Sequence, residues 1–123
     1  MAGLWVSVDD KSGREQSIVQ IFKATNGMYY GKLLKLLDER YPKDILCVLC
    51  EGEDKNKPVE GLLIIRNMKP DGNKLVGGTI FDPETGNTYH CTISLEGEKT
   101  LKLRGSLDKR GILGRSQYWI KKQ

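Results

Sequence analysis

The chain has 123 residues, 20 of them basic and 16 acidic, with a net charge of +4 and 38% hydrophobic residues. That length supports one domain with one core, spanning residues 1–123. No apolar run approaches the ~20 residues a membrane helix needs, so a helical membrane protein is excluded. The charges are mixed along the chain, with local excess only at Lys109-Arg110 and Lys121-Lys122. Such a surface is mildly basic, and no nucleic-acid partner is expected.

Gly is frequent (14) and Pro rare (4), and turn signals recur along the chain, which reads as all-β. A first strand is expected over residues 4–8, ended by Asp9-Asp10-Lys11-Ser12-Gly13. A second covers 16–23. Asn26-Gly27 is the strongest hairpin signal, because both residues accept the positive φ of a type I′ turn. A third strand is expected over 28–36. Tyr30, Leu33, Leu34, Leu37 and Tyr41 also carry a helical spacing, which leaves a helix as the other reading for the end of that segment. Residues 38–57 then form one long connection, longer than ordinary loops, and so either functional or internally stapled.

Residues 59–68 and 74–81 read as a hairpin turning at Pro70-Asp71-Gly72. Leu62-Leu63-Ile64-Ile65 is apolar on both faces, so it is either covered on its outer side or part of a contact surface. Gly77-Gly78 allows a sharp bend or a bulge. After a turn at Pro83-Glu84-Thr85-Gly86, Tyr89, Cys91, Ile93 and Leu95 alternate with His90, Thr92 and Ser94. Beyond Glu96-Gly97-Glu98-Lys99, Leu101, Leu103, Gly105 and Leu107 alternate with Lys102, Arg104 and Ser106. Each run has one apolar and one polar face. A last strand opens at Gly114-Arg115-Ser116-Gln117-Tyr118-Trp119. Eight sequential strands with short links, one excepted, predict a small antiparallel up-and-down barrel, whose closure removes exposed edges.

Gly3-Leu4-Trp5 at the start and Arg115 in the last strand resemble the lipocalin closure, in which a guanidinium caps the indole face where first and last strands meet. Gly3, Trp5 and Arg115 are therefore expected to close the barrel, with Trp119 as the other candidate for its floor. The resemblance extends over nearly the whole chain to a bacterial family known as domain of unknown function 2147. It is carried by Val19-Gln20-Ile21-Phe22, Tyr30-Gly31-Lys32-Leu33, Cys47-x-x-Cys50 and the run from Asp54 through Gly61-Leu62. It is densest from Gly77-Gly78-Thr79-Ile80 through Asn87-Thr88-Tyr89, and ends with Leu101-Lys102-Leu103-Arg104-Gly105 and Gly114-Arg115-Ser116-Gln117-x-Trp119. The family implies a lipocalin-like barrel and export to the periplasm or beyond, but no catalytic residue and no ligand. The chain departs from the family in lacking a leader, so a cytoplasmic chain is the other reading. It also carries Leu107-Asp108-Lys109-Arg110 where an apolar stretch is usual.

Cys47-x-x-Cys50 is the one motif able to carry chemistry. In an oxidising compartment it forms a small disulfide pinning the long loop; in the cytosol it would be a dithiol or half of a zinc site. Thioredoxin-type redox chemistry needs the pair at a helix N-terminus in an α/β unit, and none is present. A metal centre is not expected, because Cys91 and His90 are strand neighbours and point to opposite faces. His90 reads as a surface residue, and neither Ser116 nor Asp82 makes a triad with it. The turn at Asp82 lacks the alternating oxygen ligands of a calcium loop.

Val19, Ile21, Tyr89, Cys91, Ile93, Leu101 and Leu103 would line the barrel interior, either as the wall of a ligand cavity or as a filled core. Arg66 and Arg104 would anchor a carboxylate head if they faced a barrel mouth. The expected function is a non-enzymatic carrier of a small apolar or amphipathic molecule, such as a fatty acid, without a cofactor. The alternative is a filled barrel acting as an interaction module, monomeric or homodimeric through Leu62-Leu63-Ile64-Ile65. An enzyme would have to rest on His90 or the cysteine pair.

Overall fold

The computed structural model describes residues 1–107 and 114–122. The apolar stretch replaced by Asp108, Lys109 and Arg110 lies outside the described residues. Eight strands among the described residues follow in chain order: β1 Gly3–Val8, β2 Glu15–Lys23, β3 Tyr29–Leu36, β4 Leu63–Asp71, β5 Lys74–Asp82, β6 Asn87–Leu95, β7 Thr100–Ser106 and β8 Gly114–Lys121. Each pairs antiparallel with its sequence neighbours, and β8 returns to β1, closing the barrel. The fold is the all-β, eight-stranded up-and-down barrel that the strand spacing predicts. The helical reading of the third segment is overturned: Tyr29–Leu36 is strand, paired to β2 over seven positions.

Sequential antiparallel strands place alternate connections at opposite ends. The β1–β2, β3–β4 and β5–β6 links share one end, here the mouth, with the end of β7 and the start of β8. The β2–β3, β4–β5 and β6–β7 turns share the other, the floor, with both chain termini. Period-two alternation then sorts side chains into an inner and an outer set. Trp5, Val19, Ile21, Ile65, Met68, Leu75, Cys91, Ile93 and Leu101 are buried in one core cluster.

Closure differs from the expected cation–indole contact. Trp5 pairs with Lys121 and Val6 with Ile120, whereas Arg115 stands six residues earlier in β8, about 20 Å away along an extended strand. In an antiparallel pair an early residue of β1 must meet a late residue of β8, so Arg115 cannot reach Trp5. The indole N–H of Trp5 instead donates to the Met1 carbonyl at 2.9 Å. Arg115 donates to Asp10 Oδ2 at 2.7 Å, at the mouth.

The turns differ in detail. Gly27 takes a left-handed φ of 85° but Asn26 does not. The hairpin is a three-residue loop in which Gly27 N–H donates to the Ala24 carbonyl and Ala24 N–H to that of Met28. This is the arrangement of a turn followed by a left-handed bulge residue, not a type I′ turn. Pro70 and Asp71 belong to β4, and the tight turn is Gly72-Asn73, with Gly72 at φ 61°. The strand expected from residue 59 begins only at Leu63, because Gly61 takes φ 98° and breaks the extended run. Leu62, Ile64 and Ile65 are buried in the chain's own core, so they offer no dimer surface.

Gly78 sits where β5 packs tightly against β4. Asn67 opposite has φ 60° and Gly77 has φ 78°, and the β5–β6 register shifts between Leu75 and Gly78. A Cβ on Gly78 would run into the Arg66 carbonyl oxygen and the Met68 thioether. Since Met68 is fully buried, neither neighbour can move aside. Gly97, by contrast, has φ 79° and open space around it. Gly78→Ala is therefore predicted to lose about 3 kcal/mol through overpacking. Gly97→Ala should lose about 1 kcal/mol through backbone strain alone. Urea denaturation midpoints of the two variants check the order, and equal losses would contradict it.

Candidate functional site

The inner face changes character from floor to mouth. At the floor the inward side chains are large and apolar. Toward the mouth the same parity presents Ser7 and Ser17, Gly105 and Gln117. Ser7 and Ser17 face each other from adjacent strands with hydroxyls 2.5 Å apart, and both are buried. Small and polar groups cannot fill the bore, so the upper half of the barrel opens into a cavity of about 1100 Å³ that is walled in part by the connection after β3.

Its apolar wall includes Leu33, Val59, Ile64, Ile80, Leu103 and Trp119. Trp119 is buried, and its indole N–H donates to Gln117 Oε1 at 3.2 Å. Of the seven residues expected inside, Tyr89 and Leu103 line this cavity. Val19, Ile21, Cys91, Ile93 and Leu101 sit in the filled half, each at most 4% exposed. Alternation assigns a face, but depth in the barrel depends on register and on which end a residue approaches. The signal that would have found the mouth was present: Ser7, Ser17, Gly105 and Gln117 share inward parity and one end.

The long connection, residues 37–62, lies against the mouth. Tyr41, Ile45, Leu46, Val48 and Leu49 from it line the cavity. Its shape comes from local bonds. Cys47 N–H donates to the Lys57 carbonyl at 2.7 Å, Asn56 N–H to that of Cys47 at 2.9 Å, and Val59 N–H to that of Ile45 at 3.0 Å. Leu46 and Pro58 form an isolated bridge, and Gly52–Asp54 is one 3₁₀ turn. Cys47 and Cys50 are joined by a disulfide and are both buried. Tyr41 reaches the β5–β6 turn, where its hydroxyl donates to Glu84 Oε1 at 2.6 Å. Leu46, Val48, Leu49 and Leu107 leave an exposed apolar rim.

Charged groups ring the opening. Arg40 is held by Asp38 through two nitrogens. The Arg40 hydrogen bonds keep the Asp38 carboxyl below its usual range and raise the guanidinium's own pKa. Asp9 is lowered chiefly by the Ser12 hydroxyl. The hydrogen bond to Glu84 raises the Tyr41 phenol. Neither Arg66 nor Arg104 lines the cavity. Arg66 pairs with Asp54 at 2.8 Å beside a smaller cleft of about 310 Å³. His90 is half-buried on the outer parity of β6, between Thr79 and Ser106. Among the described residues no group of three or more His, Cys, Asp or Glu is placed to hold a metal. None of the described helices is long and apolar enough to cross a membrane.

Cys91 is the one free cysteine. Burial pushes its thiol up from 9.0 to about 12, because the thiolate would be desolvated. The neutral thiol is thus favoured by folding. Its contribution is complete below the unfolded pKa of about 9 and is lost as pH rises toward 12. Iodoacetamide is predicted to leave the folded protein unlabelled at pH 8 and to label one cysteine after denaturation. Labelling of the native protein at a free-thiol rate would overturn that placement.

The family model described as "Uncharacterized protein conserved in bacteria (DUF2147)" matches residues 3–121. A solved structure described as "Protein HP1028 from the human pathogen Helicobacter pylori belongs to the lipocalin family" superposes with a TM-score of 0.85 at 19% identity. The match covers 99% of this chain and 82% of that one, and shows a shared barrel fold. No curated protein matches the chain.

Proposed function

The chain belongs to the uncharacterised bacterial family DUF2147, and from that premise and the geometry of its barrel we propose that it is a non-enzymatic binding protein for a small apolar or amphipathic molecule. The observation that carries the reading is the contrast between the two halves of the bore. One half is packed, and the other opens into a cavity of about 1100 Å³, which is the scale of small-molecule sites. A tail of fatty-acid size would lie among Leu33, Ile64, Ile80, Leu103 and Trp119, and a polar head would remain at the charged mouth. Desolvation of the tail, about 25 cal/mol per Å² buried, would supply the affinity. The serine pair and Gln117 would orient whatever polar atom reaches them.

Among the described residues the mouth assembles no nucleophile with a base and an orienting group. The buried disulfide supports an oxidising compartment, and with it a periplasmic or secreted location. The interaction-module reading keeps one specific support. With Leu62, Ile64 and Ile65 buried, it rests on the exposed rim of Leu46, Val48 and Leu49.

The test is native mass spectrometry of protein purified from its own organism without lipid stripping, paired with titration of the neutral probe N-phenyl-1-naphthylamine. A Cβ at Gly105 meets only ordinary contacts, the nearest at 3.5 Å, so Gly105→Leu extends a side chain into the cavity without backbone strain. Wild type is predicted to carry a small molecule released on unfolding and to bind the probe with a change in Trp119 emission. Gly105→Leu should weaken probe binding at least about tenfold, the loss of about 1.4 kcal/mol, while staying folded. A clean unliganded wild type that ignores the probe would remove the carrier reading.

A further inference from the structure

The cavity mouth is not electrically uniform, and its pairing pattern bears on the head group of the ligand. A carboxylate head would need an unoccupied cation near the opening. Arg115, on the cavity wall, is paired with Asp10. Arg40, beside it, is held by Asp38. Arg66 is paired with Asp54 and does not line the cavity. Among the described lining residues, Lys11 alone is a cation without a carboxylate partner.

The β5–β6 turn shows the converse. Asp82 accepts only neutral donors, the Glu84 N–H at 2.9 Å and the Thr85 hydroxyl at 3.1 Å. Glu84 accepts the Tyr41 hydroxyl; among the described residues no cation stands within ion-pair distance of it, and Arg40 interacts with it only through the longer-range field. Asp82, Glu84, Tyr41 and Tyr89 all line the cavity. Carboxylates without a direct ion-pair partner among the described residues, set beside aromatic faces above an apolar bore, form the environment that recognises an ammonium group. The Tyr41 ring already carries one cation, with the Arg40 guanidinium carbon 5.7 Å from its centroid.

We propose that the ligand is a cationic amphiphile, with an alkyl- or quaternary-ammonium head at Asp82, Glu84, Tyr41 and Tyr89 and its tail in the bore. This rests on the carrier reading above and names its ligand class. The net charge of +4 would favour an anion. Distant lysines are screened beyond about 8 Å at physiological salt, so the rim sets the preference, and among its described residues Asp82 and Glu84 outnumber the one unpaired cation, Lys11.

The experiment compares three probes sharing a dodecyl tail, each below its micelle concentration: dodecyltrimethylammonium, laurate and dodecyl maltoside. Binding is read by calorimetry in 0.15 M salt. Dodecyltrimethylammonium is expected to bind about tenfold tighter than laurate, the sum of two partly exposed charge contacts and a ring contact. The double variant Asp82→Asn, Glu84→Gln keeps the neutral acceptors of the turn and should narrow that ratio to about twofold, leaving maltoside affinity unchanged. Laurate binding as tightly as the ammonium probe overturns the inference and leaves the carrier reading intact. An ammonium preference that survives the double variant overturns the assigned wall. If none of the three binds, both readings fall.

Discussion

Hydrogen bonding between the first and last strands is the constraint on which the rest of this molecule depends. It consists of only two paired positions, Trp5 with Lys121 and Val6 with Ile120, whereas β7 and β8 pair over seven. Yet it turns a meander with two exposed edges into a closed wall. Once the wall closes, every inward side chain shares one bore, and every connection falls at one of two ends. The direction of that pairing also sends Arg115 to the mouth and Trp5 toward the floor.

Within the bore, function follows from a gradient of side-chain size. Valine, isoleucine, leucine, methionine and tryptophan interdigitate at the floor and supply the stability of the barrel. Their packing leaves no room for a guest, as expected of an interior at crystal-like density. Serine, glycine and glutamine at the opposite end leave space and hydrogen-bonding groups. The same alternation therefore serves two purposes along one strand: in β2, Ile21 and Val19 belong to the core and Ser17 to the cavity. The long connection completes the site from outside the sheet. Its disulfide and backbone bonds hold Tyr41, Ile45 and Val59 against the opening, where an unpinned loop of that length would be mobile.

The solved barrel from Helicobacter pylori shares this architecture at 19% identity. Such distant sequences can keep one fold because a barrel asks mainly for alternation, turn chemistry and a few backbone devices such as the Gly77-Gly78 approach. Those demands leave the mouth free to vary. The chemistry at the mouth must accordingly be argued from this chain's own carboxylates, phenols and arginine pairings, since a shared fold does not carry a shared ligand.

Much of the fold was legible because strands obey local rules. Alternation in residues 89–95 and 101–107, and the turn residues between runs, define eight strands and their inner faces without reference to tertiary contacts. So does the inward parity of Val19, Ile21, Cys91, Ile93, Leu101 and Leu103. The site was much less legible, for a physical reason. Depth in the bore, the partner of Arg115 and the environment of Asp82 and Glu84 depend on register between strands far apart in sequence. Bulges shift that register at Ser7–Val8, Ile18–Val19 and Leu75–Gly78, and no single-strand pattern encodes them. By itself the sequence determined that this chain forms a small closed sheet with an apolar interior, because period two is a property of one strand. Only the tertiary structure decided that one end of the interior opens into a cavity and that Asp82 and Glu84 stand at its mouth. Those features arise where the three described mouth connections converge, and convergence exists only after closure.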